Sequence, residues 1–369
     1  MNCLSNRFII EPAKASDGLE MLQLLEQTPF EGKVSLLYTR RPDAYQSFLY
    51  EGRNMEVSVC RDLQEGKIIA IGAYVIQVVY INNKEEQVAY IFGLKGYSDY
   101  LKSHPLLHRF YAYLEENLKR NNIRFCYTTI LESNHYAQRL LEKKRRIMPH
   151  YEKFGRYETF AIRNTSRRKK HNGYVFTKAS KEDLPEMVRF LNQEGSKCQF
   201  FPVVKLDDIL SETFKGINTD SFYIVKQDDK IIAAGAIWDQ GDYKQYIVQQ
   251  YSGFLRIFNK LQLLSALFQI PSLPDPGQAL KFYTLSRWAI KDNDKTIFNV
   301  FMDNLKDHTQ DYPFMLIGVH ESHPLRNELM NRKHIKYSSN VYLVDWVKKI
   351  SPLTLLNTEM SSYIECGAL

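Results

Sequence analysis

The chain has 369 residues, 44% hydrophobic and 25% charged, with a formal net charge of +7. This is the composition of a soluble globular protein long enough for two domains, each able to bury a core without staples. The five cysteines (Cys3, Cys60, Cys126, Cys198, Cys366) stand singly, which argues against a zinc site or a disulfide framework, and the longest apolar run, 68–81, is too short to span a bilayer and contains Gln77.

In chain order, residues 8–10 predict a strand. Ser16 or Asp17 then caps a helix carrying Leu19, Met21, Leu22, Leu24 and Leu25. Residues 29–53 read as a polar stretch. Strands are expected at 57–61, 67–80 and 87–94, with turns at 63–66 and 82–85, and a loop over 95–102. Ser103 caps a helix with Pro105 in its first turn and an apolar face of Leu107, Phe110, Tyr111, Leu114 and Leu118. A strand at 123–131, a helix at 136–144 and a strand at 156–162 complete this half. The second half repeats the order: strand 174–177, helix 181–193, a partly helical stretch to 219, and strands 221–226 and 231–238. An insertion follows, with an amphipathic stretch at 254–268 and a Pro-rich turn at 271–276. Strand 280–285, helix 295–306, strand 314–319, a helix near 326–332 and a strand at 342–346 close it.

The halves also repeat in residues. Lys67-Ile68-Ile69-Ala70-Ile71-Gly72-Ala73 returns as Lys230-Ile231-Ile232-Ala233-Ala234-Gly235-Ala236. Glu20-Met21 returns as Glu186-Met187, and Leu131-Glu132-Ser133 faces His320-Glu321-Ser322. Three matches in one order, too far apart for a solenoid unit, predict a duplicated domain. The expected bounds are 1–165 and 173–347, with an insertion at 240–277, a linker over 164–173 and a carboxy-terminal tail at 348–369. Basic clusters at 143–146 and 167–170 read as solvated surface or as anion-facing, and no aromatic-interleaved basic stripe points to nucleic acid. No leader pattern is visible at Met1-Asn2-Cys3-Leu4, so a cytoplasmic protein without a membrane partner is expected.

The element order resembles the GCN5-related N-acetyltransferase (GNAT) fold, once per half: an α/β (α+β) architecture of two tandem domains, each a mixed, mostly antiparallel sheet flanked by helices. The resemblance is strongest at Asn134-His135-Tyr136-Ala137, where the family places Asn and, three residues on, Ala in a helix after its fifth strand. It implies that Asn134 contacts an acyl-CoA arm, with Ala137 beside it. The family's phosphate signature falls on Leu101-Lys102-Ser103-His104-Pro105-Leu106, without its glycines. What remains there is a helix N-terminus with Lys95, Lys102 and His104 nearby, all favourable to an anion. Leu94, Lys95, Lys102, Ser103, His104, Asn134 and Ala137 are therefore the expected donor-binding residues. In the second half, Asp292 and Asp294 would repel a pyrophosphate, which places the donor in the first half. The family's catalytic Tyr falls on Leu141 and Met330 here, and neither donates a proton. Glu132, at a strand end, is the candidate general base, and Tyr136, or Tyr90, the candidate proton donor. His104 and His108 lack the further ligands a metal needs, so no metal is expected.

The function these residues imply is acyl-CoA-dependent N-acyl transfer, with acetyl-CoA as co-substrate and a small-molecule or peptide amine as acceptor. A polar cluster in the second half (Gln240, Lys244, Gln245, Tyr246, Tyr251, Ser252) would shape the acceptor side. The alternatives are a non-catalytic pair that kept the fold, and a Fem-type aminoacyl transferase.

Overall fold

The computed structural model describes residues 7–30, 32, 34–103, 106–143, 148–164, 171–252, 274–346 and 351–369. The amphipathic stretch at 254–268, the basic cluster at 167–170, most of that at 143–146, and His104 lie outside the described residues. The first seven strands are β1 (Phe8–Pro12), β2 (Val34–Thr39), β3 (Met55–Asp62), β4 (Lys67–Ile81), β5 (Lys84–Gly96), β6 (Phe125–Leu131) and β7 (His150–Arg163). The rest are β8 (Val175–Lys178), β9 (Phe222–Gln227), β10 (Lys230–Trp238), β11 (Gln245–Tyr251), β12 (Phe282–Ile290), β13 (Phe314–His320) and β14 (His334–Asp345). The helices are α1 (Gly18–Leu25), α2 (Ala44–Leu49), α3 (Ser98–Ser103), α4 (Leu106–Arg120), α5 (His135–Leu141), α6 (Leu184–Gly195), α7 (Leu206–Leu210), α8 (Lys295–His308) and α9 (Arg326–Met330).

Twelve strands form one mostly antiparallel sheet, in the order β1-β3-β4-β5-β6-β14-β7-β13-β12-β10-β9-β8. Counted inward from opposite edges, β4 and β10, which carry the repeated Lys-Ile-Ile-Ala segment, both stand third. The two parallel pairs, β5–β6 and β12–β13, also stand at matching places. The glycine of the repeated segment has a packing reason. A Cβ on Gly72 would come within 2.1 Å of the Phe110 ring on α4, and one on Gly235 would meet Trp288 at 2.8 Å and Phe301 of α8 at 3.2 Å. The Phe110 ring of α4 thus meets β4 where only a hydrogen fits, while at Gly235 the tightest neighbour is Trp288 of β12.

The centre of the sheet differs from two halves set side by side. β7 pairs with β13 and β14, while β14 pairs with β6 and β7. The last strand of each stretch thus lies against the sheet of the other. A second, two-stranded sheet pairs β2 with β11 and links residues 34–39 to 245–251. The supposed polar stretch 29–53 therefore holds β2 and α2, with Asp43 capping α2 through Gln46 N–H (2.9 Å). The expected loop at 95–102 is also overturned: α3 follows β5 almost at once. Tyr97 and Tyr100 pack against an apolar group that includes Phe8, Ile69 and Leu106, anchoring this turn of helix where a loop would leave the rings in water. The tail also packs: Leu356, Tyr363 and Ile364 are buried.

Candidate functional site

β5 and β6 run parallel only over Val88–Tyr90 and Phe125–Tyr127. Beyond that they separate, and side chains bridge the base of the opening. Thr128 Oγ1 donates to Ile91 O at 2.7 Å, and the Tyr90 and Thr129 hydroxyls lie 2.9 Å apart. Against β4, β5 carries an irregularity between Phe92 and Lys95, with Gly93 at φ +66°. Its Cβ-less backbone suits that left-handed position.

β12 and β13 repeat this geometry. They pair over Phe282–Thr284 and Phe314–Leu316, then separate, and the matching irregularity on β12 puts Arg287 at φ +45°. Here the opening is occupied by the chain's own tail: a 3-10 turn at Cys366–Ala368 packs against both strands. Arg287 N–H donates to Glu365 Oε2 at 2.9 Å, and the Tyr363 hydroxyl donates to the same oxygen at 3.1 Å. The Tyr157 hydroxyl donates to Ile364 O at 3.0 Å. Burial lowers the pKa of the Arg287 guanidinium, which lies 4.0 Å over the Phe214 ring. Asp292 and Asp294 are engaged locally: Lys197 Nζ donates to Asp292 at 2.8 Å, and Asp294 caps α8 through Thr296 and Ile297 N–H at 2.7 and 2.9 Å.

Next to the tail lies a charge cluster that composition does not reveal. Arg40 Nη2 and Lys244 Nζ each stand 3.1 Å from a Glu51 oxygen, and none of the three side chains is more than 5% exposed. Arg40 also donates to the Tyr38 hydroxyl at 2.6 Å and to Ser47 Oγ at 3.1 Å, and its guanidinium lies 3.9 Å over the Phe48 ring. Lys244 Nζ donates to Leu369 O at 2.9 Å and Gly367 O at 3.2 Å, while Gln240 Nε2 donates to Gly367 O at 3.0 Å. Burial, with Arg40 adding to it, lowers the pKa of the Lys244 ammonium against the pull of Glu51. Burial pushes the Tyr38 hydroxyl up to about 12. The Tyr90 hydroxyl is raised mainly by burial, with smaller influences from Glu51, Tyr38 and Arg40 that place it close to the cluster.

Of the residues expected from sequence, Glu132, Asn134, Tyr136 and Ala137 come together at the end of β6 and the start of α5. Asn134 Oδ1 accepts Ala137 N–H at 3.1 Å, so the side chain is a helix cap and only its Nδ2 is left for a ligand. Glu132 is half exposed, 3.8 Å from Arg156 Nε, and Tyr136 is 62% exposed. Leu94 lies in the β5 irregularity and is exposed. Lys95 turns inward to donate to Leu25 O at the end of α1, and burial lowers its pKa. Lys102 is exposed on α3, which ends at Ser103. Gln240 and Lys244, expected on the acceptor side, are in the buried cluster. Arg40, Glu51 and Thr129 were missed. Arg40 and Glu51 sit in the polar stretch 29–53, and no local pattern ties either to Lys244. Among the described residues, no group of three His, Cys, Asp or Glu side chains is placed to hold a metal, and no helix is long and apolar enough to cross a membrane.

A sheet with two parallel pairs that open at matching places, flanked by helices, is the GCN5-related N-acetyltransferase fold. Solved structures agree. The chain is similar to a GCN5-related N-acetyltransferase from Anabaena variabilis ATCC 29413, at 12% identity and TM-score 0.54, over 91% of this chain and 72% of that one. It is similar to Saccharomyces cerevisiae N-myristoyltransferase with bound myristoyl-CoA and inhibitors, at 10% identity and TM-score 0.61, over 97% and 86%. A probable N-acyltransferase from Enterococcus faecalis V583 matches at 9% identity and TM-score 0.50, over 91% and 71%. No family model and no curated protein matches the sequence.

Proposed function

We propose that the protein is an acyl-CoA-dependent N-acyltransferase built from two copies of one domain (1–165 and 173–347), with its donor in the β5–β6 opening. The observation that carries this reading is the tail in the β12–β13 opening. Glu365 places an acceptor oxygen on the N–H of Arg287, the positive-φ residue of β12. Gly93 holds the matching place on β5, and a donor's amide carbonyl takes its N–H in the same way. The second opening is filled from within, so one donor binds per chain. Lys102 meets the phosphates, Ser103 and His104 being the further donor-binding residues expected from sequence, and Asn134 Nδ2 meets the arm. Transfer needs an amine to attack the thioester carbon, lose a proton, and expel the CoA thiolate, which takes one up. Glu132 accepts the amine proton directly or through water, and Tyr136 or Tyr90 protonates the thiolate. Acetyl-CoA is the donor of choice, the acceptor is a small-molecule or peptide amine, and the cytoplasm is the compartment that supplies CoA.

Calorimetry with acetyl-CoA and with CoA tests this. One site per chain is expected, weakened by Lys102→Glu and unaffected by Asp292→Ala. Two equal sites, or no binding of either ligand, would refute it. A donor at about 100 times its Kd also adds about 2.7 kcal/mol to stability, which a thermal shift detects.

A further inference from the structure

β14 overruns β6. Its pairing with β6 starts at Ser339, opposite Leu131, whereas its pairing with β7 reaches back to His334. As β6 leaves the sheet, Glu132 N–H donates to Ser338 O at 2.9 Å. In an antiparallel ladder the N–H and C=O of one residue point to the same side, and the side alternates along the strand. Ser338 faces the β6 lane, so Lys336 faces it too, while Tyr337 and Ile335 turn their backbone groups to β7. Among the described residues, nothing pairs with the N–H and C=O of Lys336. Its side chain is engaged on the opposite face of the sheet, with Nζ donating to Glu158 Oε1 at 2.7 Å. The result is an open strand edge in the middle of a twelve-stranded sheet. Of the side chains flanking it, Ile335 is 74% exposed and Tyr337 is 46% exposed at its ring, while its hydroxyl is buried beside Thr159. Glu321 makes the equivalent contact beyond the end of β13, its N–H donating to Arg156 O at 2.8 Å.

We propose that the open edge of β14 takes an extended polypeptide as an added strand, in the lane that β6 vacates and antiparallel to β14 as β6 is. Backbone hydrogen bonds to Lys336 supply affinity, and Ile335 and Tyr337 select apolar side chains at alternate positions. The sense of the strand sets what reaches the cleft. A segment continuing the β6 lane antiparallel to β14 starts level with Ser338 and runs toward His334, so its amino-terminal end lies beside Glu132, where β6 stops short. This inference rests on the acyl-transfer reading only in making that polypeptide the acceptor; the binding itself stands apart from it.

The test uses the full chain and an array of heptapeptides with free amino ends and apolar residues varied at alternate positions. The strongest binder is resynthesised with N-methyl groups on one alternate set of residues, then on the other. One set should weaken binding by about tenfold or more and the other should leave it within about threefold, because only one set faces β14. Lys336→Pro removes the open N–H without touching the ladder to β7 and should match the loss, while Lys336→Ala, which drops only the Glu158 contact, should not. If Lys336→Pro does not fold, the N-methyl comparison decides alone. No binder in the array, or equal binding by both N-methylated sets, would overturn the proposal. Titrating acetyl-CoA into the same samples keeps the two readings apart, since donor binding without peptide binding sinks the edge and peptide binding without donor binding sinks the enzyme.

Discussion

Replacing Glu51 by Gln isolates the charge at the centre of the buried cluster. The carboxylate stands 3.1 Å from both Arg40 and Lys244, and side-chain exposures are 1%, 2% and 5% for Arg40, Glu51 and Lys244. Gln keeps the volume and one acceptor but leaves two buried cations facing each other. Removing one partner of a buried pair costs about 3–5 kcal/mol. For 369 residues the unfolding entropy is about 0.8 kcal/mol/K, so the melting temperature should fall by about 4–6 °C. Lys244 can relieve the strain by losing its proton, since burial already lowers its pKa. The loss should therefore shrink as the pH is raised toward the ordinary lysine range. Urea unfolding followed by tryptophan fluorescence, at neutral and alkaline pH, reads both effects. Adding Lys244→Met should recover part of the loss, so the double variant costs less than the sum of the two single changes. A loss under about 1 kcal/mol, or strict additivity, would refute the reasoning and mean that water shields these charges.

Gly72→Val should push Phe110 and α4 off β4 and Gly235→Val should crowd Trp288 of β12, each costing at least about 1–3 kcal/mol by chemical denaturation; a neutral effect at either would deny the close approach. His320 and His323 are held down to about 4 by burial, so each is neutral when folded and takes up a proton on unfolding below about pH 6.5. Their contribution to stability is whole above that pH and is lost as the pH falls toward 4, about 2 kcal/mol each by pH 5; His320→Gln should roughly halve the slope of urea midpoint against pH in that window. Asp294→Ala removes the cap of α8 and should cost about 1 kcal/mol without altering donor affinity, and a change in affinity would instead put the donor in the second half.

The repeat was legible because its cause is local. An alternating apolar strand with one glycine is needed wherever a helix crosses that closely, so Lys67–Ala73 and Lys230–Ala236 kept their likeness. The Asn134 cap, a side chain reaching three residues along its own chain, is a finding of the structure, since the resemblance gave Asn134 only a place beside an acyl-CoA arm. α3 was misread because its packing partner, Phe8, comes from the far end of the domain. The charge cluster had no sequence signal at all: Arg40 and Glu51 reach Lys244 only because β2 pairs with β11. The place of β7 and β14 was equally silent. Both strands mix polar and apolar residues, and nothing in the residues of either selects the lane beside β6 or beside β13.

That exchange ties the fold to the proposed chemistry. With β14 against β6 and β7 against β13, neither half holds its full sheet without the other, so the two openings are fixed relative to each other. The tail leaves the second half through the β12–β13 opening and ends on Lys244, whose counter-charge, Glu51, belongs to the first half. Filling one opening thus anchors the polar wall beside the other. A change confined to the tail, such as Glu365→Ala, should for this reason lower the rate of acyl transfer in the first half more than it lowers donor affinity. Steady-state kinetics alongside calorimetry separates the two, and a loss of donor affinity equal to the loss of rate would show that the tail touches the donor site itself.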